Sequence, residues 1–183
     1  MNHTGTRRIE TERLILRHFQ EEDAPSVFHN WASDPEVTRY LTWPAHSEIK
    51  VTETVLQDWI NSYDQPDFYQ WAIVLKDLNE PIGSISVAEA DEAVNMIEIG
   101  YCIGQPWWHQ GIMTEALSAV INFFFNQENA SRIQTKHDVN NPHSGDVMKK
   151  CRMKFEGILR QSGKNNSGIC DLAIYGLLRK DQR

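Results

Sequence analysis

Residues 96–126, MIEIGYCIGQPWWHQGIMTEALSAVINFFFN, begin with one hydrophobic period and finish with another. The opening part, Met96 to Ile103, is rich in residues suited to a pleated strand, and Gly104, Gln105 and Pro106 break it. After the loop Trp107-Trp108-His109-Gln110-Gly111, the apolar residues Met113, Ala116, Leu117, Val120, Ile121 and Phe124 recur at helical spacing. The pattern predicts strand, glycine-containing turn, helix. A helix that starts there leaves backbone N–H groups without intrahelical partners, and its dipole adds partial positive charge at the same point. Gly111 lets the backbone approach a bulky ligand, and Ile112 to Thr114 offer N–H groups to an anion such as a pyrophosphate. A packed strand, turn and helix with no ligand satisfies the pattern equally.

The rest of the chain supplies a sheet for this unit to join. Residues 1–8 are polar and aperiodic, a loosely held start. Leu14, Ile15 and Leu16 make a first strand, Asp23-Ala24-Pro25 starts a helix, and Ser33-Asp34-Pro35-Glu36 starts a short second one running through Tyr40. Residues 47–63 put Val51, Val55, Leu56, Trp59, Ile60 and Tyr63 on one helical face. Residues 69–75 and 81–89 read as a hairpin, and 132–139 as a further strand. A helix over 144–152, a strand over 155–161, a flexible turn over 163–168 and a strand over 171–178 complete the chain.

No internal repeat, low-complexity tract or shift of composition marks a second domain, so 1–183 reads as one. With 40% hydrophobic and 23% charged residues the composition is that of an ordinary globular chain. No run is long enough to span a bilayer and no apolar signal segment opens the chain, which predicts a cytoplasmic protein without a membrane partner. Net charge of −7 argues against nucleic acid and suits a cationic partner such as an amine. The three cysteines, Cys102, Cys151 and Cys170, have neither CxxC spacing nor an even count, and the seven histidines lack ligand spacing. Neither a disulfide framework nor a metal is expected.

Residues 106–117, PWWHQGIMTEAL, resemble the cofactor loop of the GNAT superfamily of N-acetyltransferases, most closely the branch of ribosomal-protein N-acetyltransferases. Asn141-Pro142-His143-Ser144, running into Val147–Gly157, Asp171-Leu172-Ala173-Ile174-Tyr175 and Thr11-Glu12-Arg13-Leu14 are also similar to segments of that branch, so the resemblance spans nearly the whole chain. It implies an α/β (α+β) GNAT fold: a mixed, mostly antiparallel sheet of about seven strands flanked by helices and splayed between the fourth and fifth strands. It further implies acetyl-CoA as co-substrate, its pyrophosphate cradled by the loop, and an acceptor that is a protein N-terminal α-amine or a small-molecule amine. A homodimer is a further possibility in this branch. His109 and Arg152 stand where the family usually has glycine, and Met113 where it has glycine or alanine. At a left-handed helix stop a non-glycine residue such as Arg152 carries strain of roughly 1 kcal/mol.

Acetyl transfer to an amine needs a neutral nucleophile, stabilisation of an oxyanion and a proton for the departing thiolate. By resemblance Glu98 is the base; it is equally readable as a structural carboxylate bonded to a neighbouring strand or an arginine. Many members use as acid a tyrosine on the helix after the Asn141 position, but no tyrosine lies between Tyr101 and Tyr175, which leaves Ser144 and Cys151 in that segment. Ser144 is a proton donor or a helix N-cap, or both. Asn141 bonds the pantetheine arm or turns the chain before Pro142. The oxyanion would meet a backbone N–H near Cys102 or Ile103, where a bulge is expected. Trp108, His109, Gln110, Gly111, Ile112, Met113 and Thr114 complete the cofactor set, with Trp107 as a second wall of the loop and Trp43 at the acceptor cleft. Lys149, Lys150, Arg152 and Lys154 attract phosphates or form a solvated face. The expected activity is acetyl-CoA-dependent N-acetylation by direct attack in a ternary complex; the alternative is a non-catalytic acetyl-CoA-binding or regulatory module.

Overall fold

The structure, a computed structural model, describes residues 1–182. Its sheet has eight strands in the order β1-β2-β3-β4-β5-β6-β8-β7. They are β1 Ile9–Glu10, β2 Leu14–Arg17, β3 Gln70–Leu75, β4 Glu80–Asp91, β5 Met96–Ile103, β6 Arg132–Asp138, β7 Lys154–Asn165 and β8 Gly168–Leu178. Between β2 and β3 run α1 Ala24–Val27, which passes into a wider π turn over Phe28–Ala32, then α2 Pro35–Thr38 and α3 Ile49–Ser62. Helix α4 Ile112–Asn126 follows β5, and α5 Pro142–Lys150 follows β6. The two-residue β1 is the strand beyond the expected seven.

All neighbours are antiparallel except β5 and β6, which α4 connects as a parallel crossover requires. Burial explains the sequence of β3, QWAIVL, which is apolar without alternation. Its Trp71 and Ile73 join a core under α4 with Leu117, Val120 and Phe124, while Ala72 and Val74 join a second core with Phe19, Trp31 and Leu56. A strand covered on both faces needs no polar side. Strand β5 instead alternates: Ile97 and Ile99 lie in the α4 core, while Glu98 and Cys102 look to the other face.

Parallel pairing of β5 and β6 lasts for Met96↔Arg132, Ile97↔Ile133 and Glu98↔Gln134 only. Beyond that point β5 stays with β4 as far as Ile103↔Gly83, and β6 stays with β8 as far as Asp138↔Leu172. The expected splay is therefore present, with Glu98 at its apex. The bulge lies elsewhere than expected. Cys102 and Ile103 pair regularly with Ser84 and Gly83, and the extra residue is Ala88 of β4, between Val87↔Ile99 and Glu89↔Glu98.

Several element bounds differ from the sequence reading for local reasons. Residues 1–8, expected to be loosely held, dock through Asn2 N–H on the Glu128 carbonyl, Thr4 N–H on the Glu128 carboxylate and Thr6 Oγ1 on the Phe68 carbonyl. Asp34 caps α2 by accepting from Glu36 N–H at 2.9 Å, but that helix ends at Thr38 rather than Tyr40. Gly163 belongs to β7: a Cβ there would lie 2.9 Å from the Leu172 side chain, so the glycine is a close approach between strands. The turn itself is Asn166-Ser167, closed by Ser167 N–H on Asn165 Oδ1 at 2.8 Å.

Candidate active site

The splay opens a cavity of about 750 Å³ bounded by β5, β6, the loop before α4, the start of α5, residues 40–43 and the β7–β8 tip. The loop before α4 is fixed at both ends. Gly104 packs so tightly that a Cβ would sit 2.2 Å from the Asn30 carbonyl, and its N–H donates to Ile82 O at 2.9 Å. Trp108 Nε1 donates to the Ile103 carbonyl at 2.8 Å, and Gln110 Nε2 to the Pro106 carbonyl at 2.7 Å. His109 and Gly111 both take left-handed backbone, at φ of 60° and 74°. Glycine does so freely, whereas His109 carries about 1–2 kcal/mol of strain that the surrounding loop sustains. Its ring packs edge-on against His143 of α5, centroids 4.7 Å apart.

The first backbone bond of α4 is Glu115 N–H to Gly111 O at 3.0 Å, so the N–H groups of Ile112, Met113 and Thr114 precede the helical ladder. These three residues and Gly111 line the cavity, as do Glu98, Cys102, Ile103, Trp108, His109, Asn141 and Ser144. Gln110 does not: its carbonyl faces Arg13 and its side chain returns to Pro106. Of the basic cluster Lys150 lines the cavity, while Lys149 pairs with Asp146 and Lys154 with Asp181.

Glu98 is 3% exposed. Its Oε1 lies 2.6 Å from Lys136 Nζ, and its Oε2 accepts from Gln134 Nε2 at 3.0 Å. Both partners are on β6, so the carboxylate spans the wedge where main-chain pairing stops. An ammonium and an amide offset the cost of burying this charge. The structural reading of Glu98 is thus satisfied by Lys136 and Gln134 rather than by an arginine, and the same carboxylate borders the cavity.

Ser144 is not the cap of α5. The helix starts two residues before it, Asn141 occupies the cap position without a side-chain bond, and the Ser144 hydroxyl donates to Tyr101 Oη at 3.1 Å. Tyr101 Oη in turn donates to the Ser144 carbonyl at 3.0 Å. Burial pushes the Tyr101 phenol above its ordinary value, against the opposing effect of the Ser144 bond. The cavity thus holds a phenol beside the serine, delivered by β5 rather than by α5. Strand parity alone places Tyr101 with Ile97, Ile99 and Ile103; that it reaches α5 follows only from the splay.

On the opposite side Trp43 and Trp59 line the cavity. The β7–β8 tip closes over them: Asn166 Nδ2 donates to the Thr38 and Trp43 carbonyls, both at 2.8 Å, and Asn166 N–H to Leu41 O at 3.2 Å. Burial pushes the Cys102 thiol above its usual range, opposed by Ser84 3.5 Å away. A neutral thiol there is a packing group rather than a nucleophile.

The site is a wedge between parallel strands, with open helix-start amides at its mouth and a buried carboxylate at its apex. The sequence model of the acetyltransferase (GNAT) domain matches residues 13–154, and the chain belongs to that family. It is 30% identical over 172 residues to the uncharacterized N-acetyltransferase p20 of Bacillus licheniformis, covering 93% of this chain and 96% of the relative. It is 28% identical over 144 residues to the ribosomal-protein-serine acetyltransferase of Escherichia coli strain K12, covering 78% and 79%. The solved structure of RimL, the ribosomal L7/L12 alpha-N-protein acetyltransferase in complex with coenzyme A, shares the fold at a TM-score of 0.84 and 21% identity, over 96% of this chain and all (100%) of that one.

Proposed function

We propose that this chain is an acetyl-CoA-dependent N-acetyltransferase that acetylates a primary amine by direct attack in a ternary complex. The observation that carries the reading is the left-handed Gly111 turn, which leaves the first amides of α4 facing a cavity that runs on to Glu98. Those amides and the helix dipole suit a pyrophosphate, and Lys150 adds a cation on the same wall. Trp108, His109, Cys102, Ile103 and Asn141 are the further residues assigned to acetyl-CoA. Acetyl-CoA supplies a thioester whose C–S bond breaks as the amine nitrogen bonds to its carbonyl carbon. In this reading Glu98 takes the proton released by nitrogen, directly or through water, and Ser144, oriented by Tyr101, relays a proton to the thiolate, taking one from solvent as it gives its own.

The acceptor class follows from charge and kinship. A carboxylate at the cavity apex and aromatic walls at Trp43 and Trp59 suit an amine with an apolar neighbour. The name of the Escherichia coli relative, a ribosomal-protein-serine acetyltransferase, supports a protein α-amine within that class. An α-amine has an ordinary pKa near 8, about two units below lysine, so its deprotonation asks less of Glu98. The test is thiol release from acetyl-CoA with a panel of N-terminal peptides and small amines, with mass detection of product. Acceptor-dependent release with a mass gain of one acetyl group supports the reading; saturable acetyl-CoA binding without release by any acceptor leaves the non-catalytic module.

A further inference from the structure

Two segments that resemble the family and lie about a hundred residues apart in the sequence, Thr11-Glu12-Arg13-Leu14 and the Thr114-Glu115-Ala116 start of α4, meet in space. Glu115 Oε1 accepts from Thr11 Oγ1 at 2.6 Å and from Arg13 N–H at 2.9 Å, and Glu115 Oε2 accepts from Arg13 Nε at 2.6 Å. Arg13 Nη1 then donates to the Gln110 carbonyl at 3.0 Å. Neither Arg13 nor Glu115 borders the cavity, so the cluster stands behind the loop. Its Nη2 reaches within 3.7 Å of the place a Cβ on Gly111 would take.

The consequence lies in the Gln110–Gly111 peptide. In a planar trans peptide the C=O and the following N–H point in opposite directions. Holding the Gln110 carbonyl toward Arg13 therefore turns the Gly111 N–H away from Arg13, and Gly111 is a cavity residue. Glycine crosses between left-handed and extended backbone with little resistance, so without an anchor this peptide plane can flip and present a carbonyl where a donor is needed. The adjacent His109, strained at φ of 60°, adds a further reason for the loop to relax. Partial burial pushes the Glu115 carboxyl up, but the bonds from Thr11 and Arg13 outweigh this and hold it below the ordinary carboxyl value. Glu115 is thus anionic in the first turn of a helix whose start is offered to phosphate, and the Arg13 guanidinium offsets that charge.

We infer that Arg13 is a positioning residue for the phosphate-binding loop: clamped on Glu115, it fixes the Gln110–Gly111 peptide so that the loop's N–H groups face the cavity. The inference rests on the reading that acetyl-CoA docks its pyrophosphate at Gly111. It is tested with CoA and, separately, pantetheine, which has no phosphates, titrated into wild type, Arg13→Ala and Arg13→Lys. Thermal midpoints and amide exchange of residues 107–115 are measured on the same samples. Arg13→Lys keeps the charge but cannot span Glu115 and Gln110 together, and it guards against a poorly folding Arg13→Ala.

Expected are CoA binding weaker by about tenfold or more in both variants, unchanged pantetheine binding, and faster exchange of residues 107–115 that CoA suppresses. Unchanged CoA affinity with a lowered thermal midpoint, or equal losses for CoA and pantetheine, would overturn the inference by making the cluster a fold anchor only. Failure of wild type to bind CoA would instead remove the underlying reading.

Discussion

Glu98 and Tyr101 are three residues apart on one strand, so parity sends them to opposite faces of the sheet. Glu98 is engaged by Lys136 and Gln134 and sits at the wedge apex. Replacing it with Gln keeps the shape and removes the charge. If it is the base, turnover of Glu98→Gln should fall about 10²- to 10⁴-fold at unchanged acetyl-CoA affinity; equal turnover in steady-state assays removes it from the chemistry. Tyr101→Phe removes the acceptor of the Ser144 hydroxyl and one donor to its carbonyl. It should cost about 0.5–1.5 kcal/mol of stability by chemical denaturation. Its kcat should fall while CoA affinity holds, whereas an unchanged kcat would leave the pair a structural latch between β5 and α5.

Among elements, α5 shows how a seat is shaped by one small residue and how its end is shaped by a misfit. Gly145 rests on the His137 ring of β6: an added Cβ would lie 2.6 Å from Nε2 and 3.1 Å from Cε1. That ring is held through Nδ1 on the Asp138 carbonyl at 2.7 Å, and its Nε2 is buried with no partner among the described residues. It cannot swing aside easily. Gly145→Ala should therefore destabilise by about 1–3 kcal/mol despite alanine's better helix propensity, read as a lowered thermal midpoint. A midpoint at or above wild type would mean that α5 shifts freely on β6. At the other end Arg152, at φ of 62°, closes the helix with its N–H on Lys149 O at 2.9 Å and Met153 N–H on Met148 O at 3.1 Å. That is the left-handed stop expected from the sequence, made without its usual glycine.

The same elements mark what could be read beforehand. The β5–loop–α4 unit was legible because a period of two gives way to a period near 3.6 across Gly104 and Pro106, and the splay followed from resemblance. The Asn141 start of α5 was displaced by two residues because Ser144 has the chemistry of a cap while Pro142 fits the first turn as readily. The contacts of Tyr101, Lys136, Gln134 and Arg13 are not legible in the sequence because each is made across a long sequence separation. No local spacing encodes that the Tyr101 phenol meets Ser144, or that Thr11 and Arg13 meet Glu115. The two-residue β7–β8 turn is obscured by GKNNSG, in which every residue but Lys164 is a turn former; the close approach of Leu172 marks Gly163 as a strand residue.

At the scale of the whole molecule, carboxylates that join elements set an acid limit to stability and buried thiols an alkaline one. The Arg132 guanidinium of β6 holds Glu156 of β7 below the ordinary carboxyl value of 4.5, against a smaller effect of burial. Burial pushes Asp138 up, but the Asn140 backbone and the Asn165 amide outweigh it and leave the carboxyl below 3.8. With Glu115, these groups tie β6 to β7 and α4 to the start of β2. A carboxyl depressed in the folded state contributes stability that is complete above its unfolded pKa and lost as pH falls through its folded one. The thiols have the opposite sign. Burial raises Cys102, Cys151 and Cys170 above 9.0, so their contribution is complete below the unfolded thiol value and lost as pH climbs through the folded one. Denaturant unfolding across pH should therefore give a stability plateau from about pH 5 to about pH 8, with a decline on either side. Glu156→Gln should lower the plateau yet flatten its acid limb, because the variant has one fewer depressed carboxyl to protonate. An acid limb of unchanged slope in that variant would place the acid sensitivity in groups other than the β6–β7 ion pair.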